Sequence, residues 1–127
     1  MTAEEQIVSI LTNDSAVTAI NSNRVYFIQA PQKEMSTYIV FNMVREPIRT
    51  KDGIAGYTNT LLTEIYAKKN TVAFSLESAV INAFEAFSGA GTDPIRKIDF
   101  VESAAEKNEE TNISIRIIKS SLTVKNQ

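Results

Sequence analysis

Apolar residues near the amino terminus recur at the three- and four-residue spacing of an amphipathic helix. The residues on this apolar face are Ile7, Ile10 and Leu11. Thr2 and Glu5 have the spacing of a capping box, in which each side chain accepts a hydrogen bond from a backbone N–H group. The polar residues 13–15 end the helix because their short side chains compete for backbone hydrogen bonds. Asp14 is predicted to cap a second short helix over residues 16–20.

From residue 24 onward the pattern changes to the alternation that is typical of strands. Residues 25–28 predict a short strand that Pro31 ends, because proline cannot donate a hydrogen bond to the sheet. Residues 37–45 are apolar on both sides, which indicates a central strand with both faces covered at least in part. A third strand is predicted over residues 58–68, after a charged loop at residues 46–56. Consecutive strands joined in this way are expected to be antiparallel.

A long amphipathic helix follows the third predicted strand. Asn70 or Thr71 is expected to cap its start, and Gly89 to end it in a left-handed turn. Its apolar face is expected to pack against the sheet. The residues on that face are Ala73, Leu76, Val80, Ala83, Phe84 and Phe87.

Two more strands are predicted at the carboxy-terminal end of the chain. The first covers residues 95–103, with Ile98 and Phe100 on one side. The second covers residues 111–124, where isoleucines alternate until a change of phase at Ile118 indicates a β-bulge. Residues 104–110 are predicted to form a solvated hairpin loop between the two strands.

The predicted elements define an α+β fold, with a single mixed, mainly antiparallel sheet packed by helices in the order α-β-β-β-α-β-β. The chain has 127 residues, 43% of them hydrophobic and 22% charged, which is typical of one globular domain. We therefore expect a single domain over residues 1–127. No apolar run approaches the length of a membrane span, and no signal peptide opens the chain, so we expect a soluble intracellular protein.

The composition removes several classes of chemistry. Histidine and cysteine are absent and the formal net charge is −2, so imidazole bases, thiol nucleophiles, Cys/His zinc sites and a basic nucleic-acid footprint are not expected. The adjacent carboxylates Glu4-Glu5 and Glu109-Glu110 lie in polar contexts, where solvated surface is the expected role. The glycines around Ala90 follow a helix instead of opening one, so they do not form a phosphate site. We predict no catalytic residue, no metal site and no cofactor.

Two apolar residues of the long helix depart from its amphipathic pattern. Phe74 and Ile81 are seven positions apart and project from nearly the opposite side to the apolar face. Two stacked apolar residues on a polar face mark a contact surface, which either another subunit or a loop or strand of the same chain can cover. Our hypothesis is that Phe74 and Ile81 lie in a protein–protein interface.

Several local sequences resemble the tail-terminator, or tail-completion, proteins of long-tailed bacteriophages and their prophages. The resemblance spans roughly residues 5–90 and includes the helices at both ends of that range. Its most characteristic stretches are Arg24-Val25-Tyr26 leading into Ala30-Pro31-Gln32, the strand Tyr38-Ile39-Val40-Phe41, and the strand Leu62-Thr63-Glu64-Ile65-Tyr66-Ala67-Lys68. The two carboxy-terminal strands fit the closing hairpin of that family.

The resemblance implies a structural virion protein and not an enzyme. Members of the family form a ring, typically of six subunits, at the head-proximal end of the tail tube. The ring stops tube polymerisation and provides the surface to which the filled head docks. The implied partners are further copies of the chain, the tail-tube protein and a head–tail connector protein, in virions made in the bacterial cytoplasm. DNA would pass through such a ring without being gripped.

The predicted loop at residues 46–56 is our candidate for contact with the tube or head-side partners, because functional contacts concentrate on loops. Its candidate contact residues are Arg49, Lys51, Asp52 and Gly53. Two other hypotheses about the function stay open. One is another head–tail connector or tube adaptor of similar fold, and the other is a small α+β ligand-binding domain or enzyme. A deep pocket lined by polar residues with shifted pKa values would favour the last hypothesis.

Overall fold

A computed structural model describes residues 2–22, 24–30, 37–108 and 112–125 of the chain. Three helices and five strands make up this part of the protein, and they confirm the predicted α+β fold. In chain order the elements are α1 (Ala3–Thr12), α2 (Ser15–Asn21), β1 (Val25–Phe27), β2 (Tyr38–Thr50), β3 (Gly53–Ala67), α3 (Asn70–Ala86), β4 (Ile95–Asn108) and β5 (Ile113–Val124).

The five strands form one mixed sheet in the order β1-β2-β3-β5-β4. The short β1 runs parallel to β2, and every other neighbouring pair is antiparallel. The predicted mixed, mainly antiparallel sheet and the antiparallel pairing of β2 with β3 are both confirmed. β1 ends at Phe27, and the next residue, Ile28, has a φ of 70°, so its left-handed backbone leaves the strand. The predicted terminator, Pro31, lies outside the described residues.

The two amino-terminal helices begin as their sequences predict. The Thr2 hydroxyl accepts a hydrogen bond from the Glu5 N–H (3.1 Å), and the Glu5 carboxylate accepts one from the Thr2 N–H (3.2 Å). Hydrogen bonding of the Glu5 carboxylate to the Thr2 N–H, and to the Thr2 side chain, lowers the pKa of Glu5 below its usual range. The Asp14 carboxylate accepts from the N–H groups of Ala16 and Val17, so it caps α2. Both caps satisfy donors that a helix start leaves without intrahelical partners.

The core lies between the helices and one face of the sheet, with α3 packed across β3, β4 and β5. The predicted apolar face of α3 is buried, apart from Phe87 at its end, which is partly exposed. Removing a large aliphatic or aromatic side chain from water contributes about 1.5–3 kcal/mol. The fully buried large side chains are Ile7, Leu11, Val17, Ile39, Phe41, Leu61, Ile65, Leu76, Phe84, Ile95, Ile98 and Ile118.

Both ends of α3 differ from the prediction. Its N-cap is Lys69, which makes no side-chain capping bond, so neither Asn70 nor Thr71 caps the helix. Its C-cap is Phe87, and Gly89 does not adopt a positive φ. Glycine is instead required at position 89 by crowding, because an added Cβ atom would lie 2.1 Å from the Ile95 carbonyl oxygen.

The carboxy-terminal hairpin also differs from the prediction. β4 continues to Asn108, so most of the expected loop at residues 104–110 is strand, while Glu109 and Glu110 lie outside the described residues. The bulge expected at Ile118 is wrong. β5 pairs with β3 without interruption, and the register shifts fall on β4 instead, at Arg96 and Val101. The change of phase in β5 has another cause: Ile118 faces the helices, whereas the preceding isoleucines face the other side of the sheet.

The loop predicted at residues 46–56 is wrong as well. β2 and β3 continue through this segment as a two-stranded hairpin with a tight turn between Thr50 and Gly53. Gly53 has a φ of 118°, a backbone conformation that favours glycine. β5 pairs with β3 only from Asn59 onward, so residues 45–58 project beyond the sheet. We call this projection the hairpin arm.

Candidate assembly surfaces

The face of the sheet opposite the helices is not covered by any described helix. We call it the open face. Strand register places alternate residues of four strands on it, because successive side chains of a strand point to opposite sides. Its members are Tyr38, Val40 and Asn42 from β2, Leu62, Glu64 and Tyr66 from β3, Ile115, Ile117 and Lys119 from β5, and Glu102, Ala104 and Glu106 from β4.

The centre of the open face is apolar and aromatic. The rings of Tyr38 and Tyr66 stack with centroids 4.7 Å apart and an interplanar angle of 10°. The Tyr66 hydroxyl donates a hydrogen bond to the Glu64 carboxylate. Burial raises the pKa of Tyr66 above its ordinary value, and the hydrogen bond to the nearby Glu64 carboxylate raises it further. Aromatic pairs that cross between strands stabilise a sheet, so this cluster forms a fixed surface.

The border of the open face along β4 is acidic. Glu102 pairs in register with Lys119, and Glu106 pairs with Ile115. Both glutamates are exposed, and Asp99 lies on the same side of the strand. The Asp99 carboxylate forms an ion pair with the Lys97 ammonium group (3.4 Å), and both side chains are exposed. The open face therefore combines an apolar centre with a net negative border.

The hairpin arm is the second surface, and its two sides differ. Arg45, Pro47 and Arg49 share one side, to which register also assigns Tyr57 and Ile54. The Arg45 guanidinium lies 3.8 Å from the centroid of the Tyr57 ring, a cation–π contact that fixes the base of the arm. Ile54 is 50% exposed. We call this the basic side of the arm, because its charged residues are both arginines.

The predicted contact residues come together at the end of the arm. Register pairs Arg49 with Ile54 and Thr50 with Gly53, and the turn between them contains Lys51 and Asp52. Arg49, Lys51, Asp52 and Gly53 are all exposed. A two-stranded hairpin with no further packing is marginally stable in water, so burial against another surface would stabilise this arm.

The predicted pair on α3 is only partly as expected. Phe74 is 57% exposed, but Ile81 is half-buried and packs against the core, which corrects its predicted position opposite the apolar face. The Phe74 ring lies over the Arg116 guanidinium, with 5.4 Å between the guanidinium carbon and the ring centroid. Arg116 in turn donates to the Glu77 carboxylate at 2.5 Å, beneath the helix. Phe74 therefore shields an ion pair as well as facing solvent.

Two open grooves lie on the described part of the chain. One, of about 440 Å³, runs along α1 and is lined by Glu4, Glu5, Val8, Ser9 and Thr12, where both carboxylates are in the solvated first turn of the helix. The other, of about 360 Å³, lies at one end of the sheet and is lined by Lys68, Asn70, Ala105, Glu106, Asn112 and Ser114. It contains one carboxylate, whereas acid–base pairs need two groups in contrasting environments. Glu5, whose pKa is lowered by its hydrogen bonds with Thr2, lines the groove along α1, and Tyr66 lies on the open face.

Two further observations concern the described part of the chain alone. Across residues 2–22, 24–30, 37–108 and 112–125, no cluster of three or more acidic side chains is arranged to hold a metal ion. None of the helices in those ranges is long and apolar enough to span a membrane.

The sequence predicted that both faces of β2 are covered at least in part, whereas in the described residues the helices cover one face only. The apolar residues on both sides of β2, together with Leu62 and Tyr66 of β3, indicated two apolar faces. The helices cover one of them, and within the described residues nothing covers the other. Strand periodicity alone cannot distinguish such a face from one that packs against a core.

The comparisons with known proteins match this chain by structure and not by sequence. No protein-family model matches the sequence, and no curated protein matches it. Among solved structures, the chain is similar to one in the virion of a native gene transfer agent particle, with a TM-score of 0.70 and 15% sequence identity. The superposition covers 91% of this chain and 90% of the other. At this identity the likeness shows a shared fold.

Proposed function

We propose that the protein is a structural virion component, a ring subunit that ends the tail tube and provides the surface to which the head docks. The observation that carries this proposal is the likeness in fold to a chain of a gene transfer agent virion, which extends over nearly the whole of both chains. The sequence resemblance to phage tail terminators, described above, supports the same class of particle and adds the position within it.

The two unlike surfaces of the subunit support a ring. A closed ring needs heterologous contacts, in which one patch of a subunit binds a different patch of its neighbour. The projecting hairpin arm and the flat open face are two such patches. Phe74, exposed on α3, is a third candidate contact, whereas the half-buried Ile81 contributes less to any interface. We propose six subunits, the number that the resemblance implies.

The deletion of this reading frame from the replicon that encodes it tests the proposed function. Without a terminator, tube polymerisation should continue past its normal end, and filled heads should lack tails. Electron micrographs of the lysate should therefore show tubes of variable length and separate heads, and the intact gene supplied in trans should restore joined particles. Normal particles in the deletion strain would contradict the proposal.

The same micrographs distinguish the terminator from another head–tail connector. A connector acts after the tube is complete, so its loss should leave tubes of normal length that lack heads. Tube length therefore decides between the two roles, because both roles predict separated heads.

A further inference from the structure

The hairpin arm cannot cover the open face of its own subunit. β2 and β3 remain paired from the sheet into the arm, from Tyr38↔Tyr66 to Thr50↔Gly53, with one register shift next to Ile48. The arm therefore continues the sheet outward instead of folding back over it. Any arm that lies on an open face must come from another molecule.

The basic side of the arm and the open face have matching apolar content. The arm presents Pro47, Ile54 and Tyr57, of which Ile54 and Tyr57 are exposed. The open face presents Val40, Leu62, Ile115 and Ile117 at its centre. Contact between these residues would remove apolar surface from water on both partners, at about 25 cal/mol per Å².

The charges of the two surfaces are also complementary. The basic side of the arm carries Arg45 and Arg49, and the adjoining turn adds Lys51. The border of the open face carries Asp99, Glu102 and Glu106, which outnumber the two lysines beside them, Lys97 and Lys119. Opposite charges across an interface fix its register and suppress incorrect partners, because like charges brought together are unfavourable.

From these observations we infer that the hairpin arm of one copy lies across the open face of the next copy, with its basic side toward the acidic border. The inference rests on the proposed ring and names the contact that builds it. Each subunit gives one arm and receives one arm, so the contact is heterologous and propagates head to tail until it closes. This assignment gives the end of the arm to a neighbouring copy, whereas the sequence alone suggested the tube or head-side partners.

Charge reversal tests this contact. The arm variant combines Arg49→Glu with Lys51→Glu, and the face variant combines Glu102→Lys with Glu106→Lys. All four positions are exposed, so each variant should fold. Each variant alone should weaken self-association at least about tenfold, measured by sedimentation across a concentration series, because like charges then meet at every contact.

The chain that carries all four substitutions is the decisive sample. Its arm is acidic and its open face is basic, so self-association should return to near the unmodified value. An equimolar mixture of the arm variant and the face variant should also associate, because each arm in the mixture finds an open face of opposite charge. The matched control for the arm variant is Lys69→Glu with Lys125→Glu, the same change of charge at exposed positions outside both surfaces, which should associate normally.

Three results would overturn the inference. If the arm and face variants associate with themselves as the unmodified chain does, the copies meet through other surfaces. If the variants lose only their binding to tube protein, the tube protein is the occupant of the open face. An unmodified chain that stays monomeric at every soluble concentration, alone and with tube protein, would also rule out the contact between copies. The deletion phenotype is independent of all these measurements, so a failure of the contact is distinguishable from a failure of the proposed function.

Discussion

Ile95 begins β4 between two neighbours that fix its backbone. The Gln6 side chain is buried, accepts a hydrogen bond from the Ile95 N–H (2.8 Å) and donates one to the Ile95 carbonyl oxygen (2.9 Å). Gln6 thus binds both backbone groups of Ile95 as a neighbouring strand would, and it joins α1 to the sheet. Gly89 approaches the same carbonyl closely and donates its N–H to the Arg96 carbonyl oxygen (2.9 Å).

The crowding at Gly89 predicts a large effect for a single methyl group. Gly89→Ala should lower the free energy of unfolding by about 2–3 kcal/mol, because the new Cβ atom meets the backbone of Ile95 and Arg96 and forces it to move. Chemical denaturation of the two proteins measures this difference. The matched control is Gly56→Ala, whose nearest neighbour would be a side-chain atom at 3.9 Å, and we expect a change below about 1 kcal/mol there. Equal effects at both positions would contradict the explanation.

These residue-level features separate what the sequence predicts from what it does not. The capping box of Thr2 and Glu5 is local, so spacing predicted it correctly. The contact of Gln6 with Ile95 joins positions 89 residues apart, and no local pattern records it. Gly89 was recognised as a constrained position but for the wrong reason, because a left-handed turn and a close backbone approach both select glycine.

At the scale of elements, the helices were easier to predict than the ends of the strands. The apolar residues of α3 recur with the period of a helix, and the packing of that face against the sheet stabilises the same helix. Most of the hairpin arm, residues 46–56, was predicted as a loop because Pro47, two glycines and four charged residues gave it the composition of one. Its strands are held by pairing with each other and not by burial, so no apolar alternation marks them.

The exposed position of Phe74 on α3 gives an element-level prediction. Phe74→Asp should leave the fold intact, because the side chain is mostly exposed and the new carboxylate lies near the Arg116 guanidinium. If α3 contributes to an interface, self-association should weaken several-fold, as measured by light scattering. Asn82→Asp, which adds the same charge at an exposed position two turns farther along the helix, is the control and should have no effect on association. Unchanged association of the Phe74 variant would remove α3 from the interface.

At the scale of the whole molecule, the order of elements was predictable but the order of strands was not. β5 lies between β3 and β4, and β1 joins the sheet in parallel next to β2. Both arrangements depend on long-range pairing that periodicity does not encode. The consequence is the open face, because the helices lie on one side of the sheet and no described element packs on the other.

The central claim is that this subunit assembles head to tail into a closed ring. The most direct test is the mass in solution, by light scattering after size exclusion, across a concentration series and with tail-tube protein from the same replicon. We predict a discrete species near six copies, either alone or once tube protein is present, with no larger polymers. A monomer under every condition, or a dimer that does not grow, would contradict the ring.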